Sequence, residues 1–204
     1  MVHRREVDGN ALVFGNQGDL WQNAMTWFDH GTGSIWSQPT GEAIMGPLKG
    51  TTLDLLPSTL STWADWRDRF PDSLALDVES VRSGFTIEQM VVVSIVDDDS
   101  VAVPFVDLRA AGAVSTELAD EPILIVADPD FDRWSVYSRL VDGVETPLER
   151  NRTHIVDPAT GRRWNPSTGA SLDGALPLDR LPSFSSFADD YAVFFPEGEI
   201  LDLR

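Results

Sequence analysis

The chain has 204 residues and a formal net charge of −18, from 33 acidic and 15 basic residues. Hydrophobic residues make up 42% of the chain, enough to bury a core, so an intrinsically disordered protein is excluded. Cysteine is absent, which excludes disulfides and thiolate chemistry, and the lack of a basic stripe argues against a nucleic-acid ligand.

The first eighty residues are predicted to form a β-meander of short strands joined by Gly and Pro turns. The apolar pairs Trp27-Phe28 and Ile35-Trp36 flank a Gly-rich turn, which indicates a β-hairpin. The predicted strands of this part are 11–15, 23–29, 35–36, 43–45, 53–56 and 74–78.

One helix is predicted in this part, from Ser61 to about Arg69. Trp63, Trp66 and Phe70 recur at helical spacing and form one apolar stripe. We therefore expect both tryptophans to be buried.

After a polar stretch at 79–87, the pattern returns to strands and turns. The predicted strands are 89–96, 101–106, 122–127 and 134–140, with a short helix at 107–111. The fold class is therefore mostly β with short helices, and α+β is the alternative.

A pattern of eight fixed positions occurs twice at identical spacing, which indicates an internal duplication. The copies read Asp29-x-x-Thr32-Gly33-x-x-Trp36-x-x-x-Thr40-Gly41-x-x-x-x-Gly46-x-Leu48 and Asp157-x-x-Thr160-Gly161-x-x-Trp164-x-x-x-Thr168-Gly169-x-x-x-x-Gly174-x-Leu176. Each copy is preceded by Arg-x-Val-Asp-Gly and followed by Leu-Pro-Ser and Phe-Pro. We predict two related β-meander modules, a first module at 1–80 and a second at 88–204.

The two modules differ in length. The second has a lead-in of about fifty residues, at 90–137, before its Arg-x-Val-Asp-Gly, whereas the first has four residues there. We expect the first module to lack its front segment, which would leave a strand edge unpaired. A homo-oligomer that fills this edge is the assembly that the sequence predicts.

The charge pattern indicates adaptation to concentrated salt. Lys49 is the only lysine, and arginine and aspartate predominate among the charged residues. Such an acidic surface repels itself at low ionic strength, and molar salt shortens the Debye length to about 3 Å. We hypothesise a halophilic source. There is no signal-peptide region and no apolar run of membrane-spanning length, so we expect a soluble, cytoplasmic protein without a membrane span.

Three stretches carry a family resemblance. They are Arg5-x-Val7-Asp8-Gly9-x-x-Leu12-x-Phe14-Gly15, the Asp29 to Gly50 segment with Ser34, Ser37, Gln38, Ala43, Ile44 and Pro47 at its other matching positions, and Trp63-x-x-Trp66-Arg67 with Phe70-Pro71-Asp72. Over nearly its whole length the chain resembles the family catalogued as domain of unknown function 3179. The resemblance implies a fold and a setting in bacteria and salt-loving archaea, here a halophilic archaeon, but no activity.

The chain departs from the pattern of that family at one place. Members usually carry a Cys-Pro-Leu-Cys motif before the first Arg-x-Val-Asp-Gly, and this chain contains no cysteine. The resemblance therefore implies an N-terminally shortened member, and metal or redox chemistry through that motif is not expected.

The repeated Asp-x-x-Thr-Gly-x-x-Trp element is the leading candidate for a ligand site. In one interpretation Asp29, Trp36 and Gln38 form a pocket that is mirrored by Asp157 and Trp164, with an aromatic face beside a carboxylate for a sugar or a cation. In the other, Asp caps a turn, Gly supplies positive φ and Trp packs in the core. The second interpretation is favoured, because the element occurs twice with different flanks.

No catalytic, cofactor or metal site is predicted. The histidines are widely spaced, and no Gly-x-Ser-x-Gly or Walker motif occurs. The sequence favours a non-enzymatic role in binding or assembly. The alternative is a glycan-active or other hydrolase that uses carboxylates near Trp36, since such carboxylate pairs are assembled in space rather than in sequence.

Overall fold

The computed structural model describes residues 1–58, 63–75, 87–128 and 133–203, and the chain in these ranges is mostly β. The strands are β1 (Glu6–Val7), β2 (Asn10–Ala11), β3 (Phe14–Trp21), β4 (Ala24–Asp29), β5 (Ile35–Ser37), β6 (Ala43–Met45), β7 (Met90–Val96), β8 (Asp99–Pro104), β9 (Ala113–Leu118), β10 (Glu121–Asp128), β11 (Arg133–Ser138), β12 (Leu140–Val141), β13 (Val144–Glu145), β14 (Glu149–Arg150), β15 (Ile155–Val156), β16 (Arg163–Trp164), β17 (Ser183–Phe187) and β18 (Glu199–Ile200). The helices are α1 (Trp63–Arg69), α2 (Phe105–Ala111) and α3 (Ala188–Phe194), with a 3₁₀ turn at Ile87–Gln89. None of the helices in these four ranges has the length and apolarity that crossing a bilayer requires.

In the first repeat, β3 to β6 form an antiparallel four-stranded sheet in sequence order. The predicted hairpin is confirmed, because Trp27 on β4 lies opposite Trp36 on β5. Trp36 is buried together with Ala43 and Leu53, and the ring of Phe14 meets it edge-on at a centroid distance of 5.5 Å. An aromatic cross-strand pair thus anchors a small core.

In the second repeat, the larger core lies between a three-stranded sheet, β11-β10-β9, and a four-stranded sheet, β17-β7-β8-β18. Strand β7 is buried on both faces. Val92 packs into this core, while Val91 and Val93 pack on the opposite side against Tyr191 of α3. Because side chains on both faces of such a strand are buried, its sequence is a continuous apolar run, as in the run that begins at Met90.

The two repeats use the same strand registers. The β-hairpins at Arg-x-Val-Asp-Gly share one register, with Glu6 opposite Ala11 and Val7 opposite Asn10 in the first repeat, and Leu140 opposite Glu145 and Val141 opposite Val144 in the second. The motif hairpins also agree, with Trp27 opposite Trp36 and Phe28 opposite Ile35 in one, and Ile155 opposite Trp164 and Val156 opposite Arg163 in the other. Since a shift of one residue would move every side chain to the other face, equal registers indicate a duplicated fold.

Residues 2–4 of the first repeat occupy the position of residues 136–138 on β11. Equivalent backbone hydrogen bonds join both segments to the residues at the start of each Leu-Pro-Ser and just before it. They are Arg4 N–H to Asp54 C=O at 2.8 Å, Leu56 N–H to Val2 C=O at 2.8 Å, Ser138 N–H to Asp179 C=O at 2.9 Å and Leu181 N–H to Val136 C=O at 2.9 Å. His3 is therefore the counterpart of Tyr137.

Equivalent segments of the two repeats also contact each other. The hydroxyl of Ser58 donates to the carbonyl oxygen of Ser183, its counterpart in the second Leu-Pro-Ser, at 3.3 Å. Arg180 donates to the carbonyl oxygen of Ser58 at 2.9 Å. The two Leu-Pro-Ser segments therefore form part of the contact between the repeats.

Several element predictions need correction. The predicted burial of Trp63 and Trp66 is wrong, because these side chains are 44% and 41% exposed. The segment predicted as a strand at 53–56 is not a regular strand, although Leu55 forms an isolated bridge with His3.

Other differences concern elements of the second repeat. Helix α2 begins at Phe105, earlier than predicted, and β9 and α3 were not predicted at all. The proposed capping residue Ser61, residues 76–78 of the predicted strand and residues 79–86 of the predicted boundary lie outside the described residues.

Candidate functional site

The carboxylate of Asp29 closes the turn that follows β4. Its Oδ1 accepts the backbone N–H of Thr32 at 2.6 Å, and its Oδ2 accepts the Thr32 hydroxyl at 2.8 Å and the indole N–H of Trp36 at 3.0 Å. Gly33 has a φ of 71°, which glycine adopts without steric cost, and its N–H donates to the carbonyl of Asp29 at 2.9 Å. The motif residues therefore provide hydrogen-bond partners for one another.

The same network reaches the next loop through Ser34. Its hydroxyl lies 2.6 Å from the Thr32 hydroxyl and accepts the backbone N–H of Leu48 at 3.0 Å. A Cβ on Gly46 would lie 2.7 Å from the Cα of Ser34, so the loop passes directly over this residue. Ser34 thus ties the turn at Asp29 to the loop that carries Gly46 and Leu48.

The second copy repeats the turn and changes the tryptophan bond. Asp157 accepts the backbone N–H of Ala159 at 2.9 Å and also accepts the hydroxyl of Thr160. The indole N–H of Trp164 donates instead to the carbonyl oxygen of Leu176 at 2.8 Å. Leu176 is the counterpart of Leu48. The tryptophan of the second repeat therefore holds the backbone of the loop that Ser34 holds in the first repeat.

The two aspartates differ from a solvent-exposed carboxylate in their pKa values. Burial by itself raises the pKa of Asp29, but hydrogen bonds from Trp36, Thr32 and Ser34 outweigh it and hold the pKa below its ordinary value. The Thr160 hydroxyl is the largest cause of the lowered pKa of Asp157. Both groups are ionised acceptors at neutral pH, and a general acid needs a raised pKa instead.

The structure does not place the five candidate residues in one open site. Asp29 and Trp36 have no exposed surface, Trp164 is equally buried and Asp157 is nearly so. Gln38 is half-buried, and its backbone carbonyl accepts a bond from the Nε2 of His3 at 3.0 Å. Burial of these side chains in turns favours the structural interpretation of the motif.

His3 and Tyr137 make the same contact in the two repeats. The Tyr137 hydroxyl donates to the carbonyl oxygen of Pro166, the counterpart of Gln38, at 3.0 Å. Burial is the main cause that lowers the pKa of His3. Burial outweighs the backbone contacts with Gln38 and Leu53, which favour the protonated ring, so the ring is packed as a neutral group.

A cleft of about 390 Å³ lies where the repeats meet. His3, Thr40 and Leu55 line it from the first repeat, and Asp97 and Phe195 line it from the second. None of the five candidate residues is part of its wall. Across the ranges that the structure describes, no three His, Asp or Glu side chains are grouped so that they could hold a metal ion.

The feature that the sequence interpretation missed is an exposed aromatic surface on α1. Trp63, Trp66 and Phe70 form this α1 aromatic face, and each is at least two-fifths exposed. The equivalent positions of α3 include Tyr191, which is 1% exposed. The signal was present in the sequence, because the shared Phe-Pro spacing aligns the two helices, and residues 90–104, which form β7 and β8, belong to the second module.

Comparison with known proteins gives one match. A family model described as protein of unknown function (DUF3179) matches residues 1–86 and again residues 80–198. Neither the curated proteins nor the solved structures contain a match to the chain. Two matches in tandem agree with the duplicated registers of the strands.

Proposed function

This chain belongs to the DUF3179 family of proteins of unknown function, and we propose that it is a non-enzymatic binding or assembly protein built from two copies of the family module. The division into modules at 1–80 and 88–204, the halophilic source and the cytoplasmic location are parts of this proposal.

The chemistry of the repeated motif supports a role without catalysis. Its carboxylates are buried, ionised and fully engaged with donors from their own turns. A hydrolase would need an accessible acid and base that face a substrate, at a separation set by the reaction. Asp29 and Asp157 lie in separate turns of separate repeats and have no such access.

The α1 aromatic face is the observation that carries the proposal. Trp63 is 44% exposed, Trp66 41% and Phe70 50%, and they are the three large apolar residues of a helix of seven residues and the position after it. A helix this short is not stable by itself and depends on packing of its apolar side. Contiguous exposed aromatics mark interaction surfaces, and aromatics dominate the energetics of protein interfaces.

Self-association through the first module follows from this surface. With no other protein present, an uncovered aromatic face has only a second copy of the chain to pack against. This is the homo-oligomer that the unpaired edge of the first module predicts, and α1 gives it a defined contact. Because each copy carries a net charge of −18, association requires salt to screen the repulsion.

Sedimentation velocity in molar KCl, over a range of protein concentrations, tests the proposal. We expect the wild-type chain to associate reversibly and a Trp63→Ser, Trp66→Ser variant to remain monomeric. A Leu20→Ser, Met25→Ser variant is the matched control, since these residues are exposed apolar neighbours on β3 and β4. Equal association of the two variants, or a strictly monomeric wild-type chain, would count against assembly through α1.

A further inference from the structure

Helices α1 and α3 are equivalent elements of the duplicated module. Both are seven residues long and are closed by the same two bonds. These are Phe70 N–H to Trp66 C=O at 2.9 Å with Ser73 N–H to Phe70 C=O at 3.0 Å, and Phe195 N–H to Tyr191 C=O at 2.9 Å with Gly198 N–H to Phe195 C=O at 2.9 Å. The aromatic pair of each helix therefore occupies the same two positions.

A β-sheet covers this pair in the second repeat. Tyr191 and Phe195 pack with Val91 and Val93 of β7 and with Ala102 of β8. Strands β7 and β8 present these small aliphatic side chains, which alternate along β7 with residues that face the other core, and the neighbouring β17 adds Phe184, whose ring lies 6.0 Å from that of Phe195. The chain itself thus shows which surface the module's helix accepts.

The pair in the first repeat is prepared for a similar cover. Trp66 and Phe70 lie against each other with ring centroids 4.5 Å apart, as Tyr191 and Phe195 do at 5.5 Å. The indole N–H of Trp66 donates to the hydroxyl of Ser73 at 3.0 Å, so its polar atom already has a partner on its own repeat. A covering surface over this pair needs to supply apolar contact and no hydrogen-bond acceptor.

We infer that the α1 aromatic face is a docking site for another polypeptide that presents an apolar β-sheet face of Val and Ala side chains, like the outer face of β7 and β8. This inference rests on the binding role proposed above and adds the chemistry of the partner. Self-association is then the contact that α1 makes when the sheet is absent, and a suitable sheet displaces it.

A backbone-cyclised peptide of residues 89–104 is the probe, because it carries the β7–β8 hairpin in closed form. Val92→Lys and Val103→Glu place an opposite-charge pair on the face that points away from α3, which keeps the peptide in solution. The control peptide has the same changes together with Val91→Ser and Val93→Ser on the docking face.

Tryptophan emission of the full chain is recorded in molar KCl as peptide is added, with sedimentation of the same mixtures. We expect a saturable blue shift, release of self-associated chains into monomers with bound peptide, and binding of the control peptide weaker by more than about tenfold. The Trp63→Ser, Trp66→Ser variant is expected to show no shift.

The outcomes separate the inference from the proposed function. If the wild-type chain associates through α1 but neither its emission nor its mass responds to the peptide, the assembly role stands and the sheet partner is refuted. If both peptides bind equally, the face accepts apolar material without regard to the sheet, and the inference fails. If the chain neither associates nor binds peptide, both ideas are overturned.

Discussion

Replacing Asp29 by Asn gives the sharpest test of the structural account of the motif. The side chain keeps its shape and loses its charge and one acceptor atom. If the new amide NH2 stands at the Oδ1 position, it faces the N–H of Thr32; if it stands at Oδ2, it faces the indole N–H of Trp36. In either orientation one N–H donor loses its acceptor, either the buried indole of Trp36 or the part-buried backbone N–H of Thr32.

The expected cost follows from those contacts. An orphaned buried donor costs about 1–3 kcal/mol, and the remaining bonds lose the extra strength that a charged acceptor gives them. We therefore expect Asp29→Asn to destabilise the fold by about 3 kcal/mol. For a chain of this size, 1 kcal/mol corresponds to roughly 2–4 °C in Tm, so the loss should be about 6–12 °C.

Asp157→Asn is the matched control. Its Oδ1 accepts the backbone N–H of Ala159 and its Oδ2 accepts the hydroxyl of Thr160, while Trp164 donates elsewhere. The amide can turn its NH2 toward the hydroxyl of Thr160, which rotates to accept, so no N–H donor is orphaned. We expect a cost of about 1 kcal/mol.

Thermal unfolding in molar KCl, with both variants in parallel, measures the difference. A smaller loss for Asp29→Asn than for Asp157→Asn, or equal losses, would refute the reasoning. The lowered pKa of Asp29 adds a pH signature, because its stabilisation is complete above about pH 4 and is lost as the pH falls through the folded-state pKa. That loss on acidification should be reduced in the Asn variant.

Three further predictions concern other contacts of the fold. Gly41→Ala should lower the free energy of unfolding by about 2–4 kcal/mol, because a Cβ there meets the ring of His3 at 2.7 Å and the Leu53 carbonyl at 3.0 Å. Gly33→Ala is the control, with a similar φ and open space, and should lower it by about 1 kcal/mol. Equal losses in denaturant unfolding would contradict this. The pKa of His3 is lowered in the folded state, so stability should decrease as the pH falls from about 6.5 through that pKa, and His3→Tyr, which installs the residue of the second repeat, should remove this loss between pH 7.5 and 5.5. A pH response of Tm that His3→Tyr leaves unchanged would assign the loss to other groups. Finally, the Tm of the wild-type chain should rise from low salt to molar KCl, because the net charge is −18, and a flat or falling Tm would reject the halophilic hypothesis.

Sequence reasoning predicted the parts of the fold that depend on local rules. The turn at Asp29 and the hairpin between Trp27 and Trp36 follow from Asx chemistry, glycine and apolar alternation over a few residues. The mostly β class and the duplication followed in the same way, from strand-length runs and repeated spacing.

Tertiary contacts were harder to predict. Periodicity correctly put the aromatics of α1 on one side of a helix, but it does not show whether anything packs on that side. The role of Trp36 was equally hidden, because the same motif position donates to Asp29 in one repeat and to the Leu176 carbonyl in the other. Short patterns fix turns, whereas the partner of a buried donor depends on loops far along the chain.

The two copies of the helix differ in whether a hydrogen bond ties the aromatic pair to a covering sheet. A pair of aromatics such as Trp66 and Phe70 loses no hydrogen bond when its sheet is absent, because the polar atom is bonded within its own repeat. Tyr191, in contrast, shares its hydroxyl with Ser100 on β8 at 3.0 Å, which ties it to that sheet. Removing the sheet from α3 would break the hydrogen bond between Tyr191 and Ser100, whereas the indole N–H of Trp66 keeps its bond to Ser73 with or without a sheet. If α1 docks a sheet as inferred above, its aromatic pair can therefore release that sheet without losing a hydrogen bond, whereas the pair of α3 cannot.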